Sequence, residues 1–197
     1  MIAELKHLVT SLPVTLGTIA LVTSTSLIVG FKPSILRGRL AMHRNCVIHR
    51  GQIWRMMTFH FLHIDLRHLC INMLSFYFVS SAIERMYNRP ADLVIFYILL
   101  TALAGVVYVA FDWNPVSEFT LGFSVFVYCL IGIIAFRTGK PDLSYISLVA
   151  VGCLIDILIL NSGYRIDHKG HFTGFLTGCA VGGLGLASVL FSTPGKL

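Results

Sequence analysis

The sequence predicts an all-α, polytopic membrane protein built as a bundle of six transmembrane helices. Three observations predict it. The chain of 197 residues is 56% hydrophobic and only 12% charged, with a mean hydropathy of +0.80, far from the average soluble domain. Its apolar residues come in continuous runs close to the ~20 residues that cross ~30 Å of hydrocarbon. Those runs lack the alternation of a membrane β-barrel, which leaves helices as the way to satisfy backbone hydrogen bonds in lipid.

The expected helices are, in order, 12–31, 66–85, 91–111, 120–136, 143–161 and 171–191. The first, "LPVTLGTIALVTSTSLIVGF", is longer than a secretory signal core and has no small-x-small cleavage site, so it is expected to be retained. Residues 32–65 form a long basic connection holding Lys32, Arg37, Arg39, Arg44, Arg50 and Arg55 and ending in the amphipathic "IWRMMTFHFL". This loop is expected to lie in the membrane interface as a structured element. The other connections are short, so residues 1–197 are expected to form one bundle, without a separate soluble domain or internal repeat.

The net charge of +6 sits in the loops between apolar runs, which points to membrane lipids and away from nucleic acid. By the positive-inside rule alone, the first loop would be cytoplasmic. Cys46, Cys70, Cys129, Cys153 and Cys179 show no CxxC spacing and are expected to be buried free thiols.

Polar side chains within apolar runs carry the functional signal, because each costs about 2.5 kcal/mol or more to place in a membrane unless it has a partner or a task. His68 and Asn72 are four apart in "HLCIN" and share a helical face. Ser124 lies near the start of the fourth run, with Tyr128 on the same face and Gly132 one turn beyond. His171 opens the sixth, where Gly174, Gly178 and Gly182 recur every four residues as a smooth stripe into which another helix can pack. If the fourth helix fills that stripe, Ser124 meets His171. A serine hydroxyl is a weak nucleophile until a base accepts its proton, and a neutral imidazole is the usual base. Asn72 and His68 are candidate donors to the oxyanion, and Tyr128 is a candidate packing surface for the imidazole.

Each feature also has an ordinary structural explanation, since serine and Gly-xxx-Gly are common packing devices in membrane helices. His60, His63, His68, His168 and His171 fit no familiar zinc spacing, and no metal or organic cofactor is expected. Asp156 in the fifth run is a candidate third member behind His171.

Taken together, these residues resemble the rhomboid family of intramembrane serine proteases over about residues 51–182. "WRMMTFHFLHIDLRHLCINMLSFYFVSSAIER" is similar to the rhomboid stretch from the Trp-Arg of the first loop through the second helix, supplying Trp54, Arg55, His68, Asn72 and Glu84. "GFSVFVY" resembles the GxSGxxY nucleophile motif, with Gly122, Ser124 and Tyr128, and "GHFTGFLTG" resembles AHxxGxxxG, with His171, Gly174 and Gly178. The resemblance implies Ser124 as nucleophile, His171 as base, His68 and Asn72 as oxyanion donors, and transmembrane segments of other proteins as substrates. It also implies a cytosolic amino terminus with the basic first loop on the lumenal side, against the charge rule. The wording "FLHIDLRHLCINMLSF" looks most like rhomboids of the endoplasmic reticulum and secretory pathway.

Two positions depart from the pattern. Val125 stands where the family has glycine, and Gly170 where it commonly has alanine. The valine adds a β-branched side chain at a crowded helix start, and the expected consequence is a displaced Ser124 or a narrowed site with reduced activity. The alternative function is a catalytically impaired, derlin-like pseudoprotease that binds membrane clients for quality control. A channel or transporter would require broken helices or a charged pathway, which the runs lack.

Overall fold

The computed structural model describes residues 10–86, 89–111, 119–136, 147 and 167–185. Its helices are α1 (Pro13–Val29), α2 (Ile35–Leu40), α3 (Arg44–Arg50), α4 (Arg55–Thr58) with a 3-10 turn at Phe59–Phe61, α5 (Leu66–Glu84), α6 (Pro90–Phe111), α7 (Ser124–Phe136) and α8 (His168–Gly183). Apart from residue 147, the run expected at 143–161, with Cys153 and Asp156, lies outside the described residues.

Local chemistry sets the helix ends. Pro13 occupies the first turn of α1, where its missing N–H is no loss. Asp65 caps α5 by accepting the His68 amide at 2.7 Å, and Asp167 caps α8 by accepting the Gly170 amide at 2.9 Å. The last helix therefore begins three residues before the apolar run that predicted it. α6 is 22 residues long with a mean hydropathy of 2.5, enough to cross a membrane, while α1 and α7 are shorter apolar helices.

α7 is the central rod, with every residue from Val125 to Ala135 buried. α8 lies along it, α5 and α6 pack beside it, and α1 leans on α5. The expected helical start at residue 120 is replaced by an extended entry into α7. Non-helical backbone at membrane depth persists only where protein satisfies it. Here Thr120 pairs with Met42 through amide–carbonyl bonds of 2.9 and 3.0 Å, and the Gly122 amide donates to the Phe59 carbonyl at 3.1 Å.

The first loop, residues 30–65, is a folded scaffold that presents these acceptors. Arg55 is 4% exposed. Its guanidinium donates to Gln52 Oε1 at 2.7 Å and to the Gly38 and Ala41 carbonyls at 2.7 and 2.5 Å, placing a cation at the carbonyl end of α2. Trp54 Nε1 donates to the Arg39 carbonyl at 3.2 Å, while the residue itself is half exposed. Gly105 lets α6 close on α4, since a side chain there would run into the Met56 carbonyl.

At the opposite end of α5, buried Glu84 accepts the amides of Val14 and Thr15 at 2.7 and 2.8 Å. The carboxylate thus satisfies two orphan donors at the positive end of α1. The Thr15, Ser80 and Tyr97 hydroxyls continue the network at 2.7 and 2.8 Å.

Among the described residues the cysteines are free thiols, Cys46 and Cys129 buried and Cys179 partly so. Cys70 departs from expectation: it is exposed because its place on α5 turns it outward.

Candidate active site

The glycine stripe of α8 faces α7. Side chains built on Gly174 and Gly178 would run into the carbonyls of Val125 and Cys129, and one on Gly182 would stand 2.8 Å from the Ile133 oxygen. Gly132 of α7 returns the contact against the backbone of Phe175 and Cys179. Two helices thus touch backbone to backbone at successive turns, the approach that small residues permit in membranes. Val125 does not prevent it. Its side chain is 2% exposed within the apolar core, and the room for its backbone comes from Gly174 on the other helix.

This contact brings the ends of the two helices together. The His171 imidazole lies flat on the Tyr128 ring, with centroids 4.4 Å apart and planes 16° apart. Tyr128 is one turn along α7 from Ser124, so the imidazole rests on the face that carries the serine. His171 is 7% exposed, whereas Ser124 is intermediate, so the hydroxyl keeps an opening to the surroundings.

The third side of the site is α5. Gly122 has φ +140°, and a β-carbon there would lie 2.9 and 3.3 Å from His68 Cε1 and Nε2 and 3.6 Å from Ser124 Oγ. The histidine ring and the serine hydroxyl therefore converge on the space a side chain at 122 would fill. Glycine is required both by that φ and by that occupancy. Asn72 is 5% exposed, and its Nδ2 donates one hydrogen to the His68 carbonyl at 2.9 Å, leaving the second to point elsewhere.

Sequence reasoning missed the group that holds the nucleophile segment. Ser26 Oγ donates to the Phe61 carbonyl at 2.8 Å and lies 2.9 Å from His63 Nδ1. With the serine proton so used, Nδ1–H is the donor to Ser26 and Nε2 the acceptor, and Nε2 receives the Phe123 amide at 3.4 Å. A neutral imidazole is required for that role. Burial first, then the electrostatic influence of neighbouring His68 and Arg37, lowers the His63 pKa to about 3. The His63 and His68 rings meet edge to face at 5.1 Å. No signal in the sequence separates His63 from its neighbours, because its partners are 37 and 60 residues away.

Also missed were Tyr108, Thr120 and Asp167. Tyr108 O–H donates to Asp167 Oδ2 at 2.6 Å and lies 2.8 Å from Thr120 Oγ1. An Asp three residues before a helical glycine is a readable cap signal, but its tyrosine partner is not. Asp167 is the carboxylate at the start of the His171 helix; Asp156, the sequence candidate, lies outside the described residues. Among the described residues no group of three His, Cys, Asp or Glu side chains is disposed to hold a metal ion.

The rhomboid protease GluP of Bacillus subtilis is 28% identical over 148 residues, 72% of this chain and 28% of that protein. Rhomboid-like protease 3 of Toxoplasma gondii is 28% identical over 144 residues, 66% of this chain and 51% of the relative. Rhomboid-type serine protease 2 of Neurospora crassa is 26% identical over 148 residues, 72% and 53% of the two chains. The chain thus spans between about a quarter and a half of these relatives' lengths. The model of the Rhomboid domain matches residues 50–188, a span that runs from the first-loop Trp-Arg through α8 and takes in Ser124, His68, Asn72 and His171, and with it this integral membrane protein belongs to the rhomboid family.

Proposed function

We propose that this chain is an intramembrane serine protease that cleaves transmembrane segments of other proteins with a Ser124–His171 dyad. The observation that carries the reading is the flat stack of His171 on Tyr128, which holds the imidazole on the serine-bearing face of α7. Ser124 Oγ attacks the scissile carbonyl carbon while His171 accepts its proton. The tetrahedral oxyanion takes hydrogen bonds from the free Asn72 N–H, His68 and the Ser124 amide. Collapse expels the amine, which receives the proton from His171, and a water then hydrolyses the acyl-enzyme by the same proton transfers in reverse order. The partly exposed Ser124 and the polar cluster around it supply the route for water to a nucleophile set below the membrane surface.

The close approach supplied by Gly174 supports full competence despite Val125, and the sequence wording of α5 supports residence in the endoplasmic reticulum or secretory pathway. The test is cleavage of a helical model substrate in proteoliposomes, together with fluorophosphonate labelling. Wild-type protein cleaves and labels, and Ser124→Ala and His171→Ala do neither. Cleavage that survives Ser124→Ala overturns the mechanism, and a folded wild-type protein that neither cleaves nor labels assigns the chain to the client-binding, derlin-like role.

A further inference from the structure

The glycine stripe sets how far apart α7 and α8 stand, yet it specifies their axial register poorly. Gly174, Gly178 and Gly182 face Val125, Cys129 and Ile133, both series stepping by four. Sliding one helix by four residues, about 6 Å, would set Gly178 against Val125 and Gly182 against Cys129 and preserve two of the three contacts. That slip would carry His171 away from Ser124 altogether. Something else must choose the register.

Tyr108, near the end of α6, stands where the two halves of the site begin. Its hydroxyl has one proton, which goes to the Asp167 carboxylate at 2.6 Å, so the Thr120 hydroxyl 2.8 Å away must donate to the tyrosine oxygen. The result is a directed chain from Thr120 through Tyr108 to Asp167, each bond polarising the next. Thr120 is anchored by two backbone bonds to Met42 and stands four residues before Ser124. Asp167 caps α8, its Oδ1 accepting the Gly170 amide at 2.9 Å and its carbonyl accepting the His171 amide at 3.0 Å. The clasp also accounts for Gly170. A β-carbon there would lie 2.6 Å from Asp167 Oδ2 and 2.9 Å from Tyr108 Cε2, so the commoner alanine would collide with it.

We propose that Tyr108, Thr120 and Asp167 are positioning residues, a hydrogen-bonded clasp that fixes the register of the His171 helix against the segment leading into Ser124. The inference rests on the Ser124–His171 reading above. Only one axial setting lets the carboxylate of Asp167 reach the phenol, and a polar pairing of this kind is a well-attested way to specify register between otherwise degenerate helices.

The experiment uses the full chain in proteoliposomes. Tyr108→Phe removes the hydroxyl and keeps the ring. It is expected to lower kcat about tenfold or more with KM within about twofold, as a misplaced base should. Asp167→Ala behaves alike, whereas Asp167→Asn stays within about threefold of wild type, since asparagine is an equal cap and can donate its amide to the tyrosine while accepting from Gly170. In parallel, backbone hydrogen exchange at Gly170 and His171 is read in a Ser124→Ala background, where no chemistry occurs. Tyr108→Phe is expected to speed it about tenfold. A Tyr108→Phe kcat within about twofold of wild type, a loss confined to KM, or an Asp167→Asn as impaired as Asp167→Ala overturns the proposal. If wild-type protein neither cleaves nor labels, the catalytic reading fails by itself, and the exchange arm decides: faster exchange supports the clasp, unchanged exchange removes it. Should Tyr108→Phe not fold, Thr120→Val cuts the other end of the chain and is judged by the same results.

Discussion

The Val125 backbone lies directly against Gly174, so α7 and α8 approach closely at this turn with a valine after Ser124, the space being left by the glycine on the facing helix. The valine side chain is then free to fill the core, where it is 2% exposed. Val125→Gly should therefore not release a suppressed activity. The expected result is a change in kcat of less than about threefold, with stability lower by about 2–4 kcal/mol from the lost core volume and the glycine in a helix. Substrate turnover and denaturant unfolding of the purified variant check both parts, and a large gain in kcat would show the valine to be inhibitory.

Gly122→Ala should be severe. The methyl group would enter the space between His68 and Ser124 Oγ at a φ of +140°, a backbone region that costs an L-residue of order 1–3 kcal/mol. His68 must then move away from the hydroxyl. A drop in kcat of about a hundredfold is expected, by the rule that small misplacements at a reacting centre are costly. Wild-type kcat in the alanine variant would mean that His68 has no part in the site.

Glu84 is buried against the amides of Val14 and Thr15, far along α5 from His68. Glu84→Ala leaves two amides unsatisfied and should lower stability by about 3 kcal/mol or more. Because the residue touches nothing in the site, kcat per folded molecule should be unchanged. Unfolding midpoints and active-site-normalised turnover separate the two, and a selective loss of kcat would refute a purely structural role.

Acid should weaken the fold through the first loop. His60 is fully enclosed, with Phe59, Phe123 and Phe126 around it. Neither ring nitrogen makes a hydrogen bond of ordinary geometry, although the Thr101 backbone is near enough to draw on the ring. Burial lowers its pKa to about 3, as it does for His63. Since the folded pKa is below the unfolded value of about 6.5, the unfolded chain binds more protons between those values. The stability is whole above about pH 6.5 and falls as pH drops toward 3, by up to about 1.4 kcal/mol per pH unit per histidine. Thermal midpoints should be lower at about pH 5 than at about pH 7.5. His60→Leu should shrink that difference and raise stability at neutral pH by about 1 kcal/mol, because a poorly satisfied buried polar group is removed. An unchanged acid sensitivity in His60→Leu would assign it to other groups.

Much of the architecture was legible from runs of apolar residues, because hydropathy is a local property and lipid leaves the backbone few options. The α8 stripe was legible for a similar reason: glycines every four residues specify a smooth face whatever packs there. Ser124, His68, Asn72 and His171 stood out because each is expensive in a membrane and arrives at a recognisable spacing. The consequence of Val125 was not legible. Its backbone faces Gly174 while its side chain enters the core, and no local rule names which helix comes to face which.

By itself, the sequence determined a helical membrane protein of the rhomboid type and the set of polar groups available to its site. The tertiary structure alone decided that α7 starts at Ser124 after an extended entry, that His63 holds the Phe123 amide, and that Tyr108 joins Thr120 to Asp167. Those relationships link residues 12 to 78 positions apart. Apolar patterning selects elements within a few turns of chain, whereas the pairing of buried donors with buried acceptors is settled only when distant segments close on one another in a space without water.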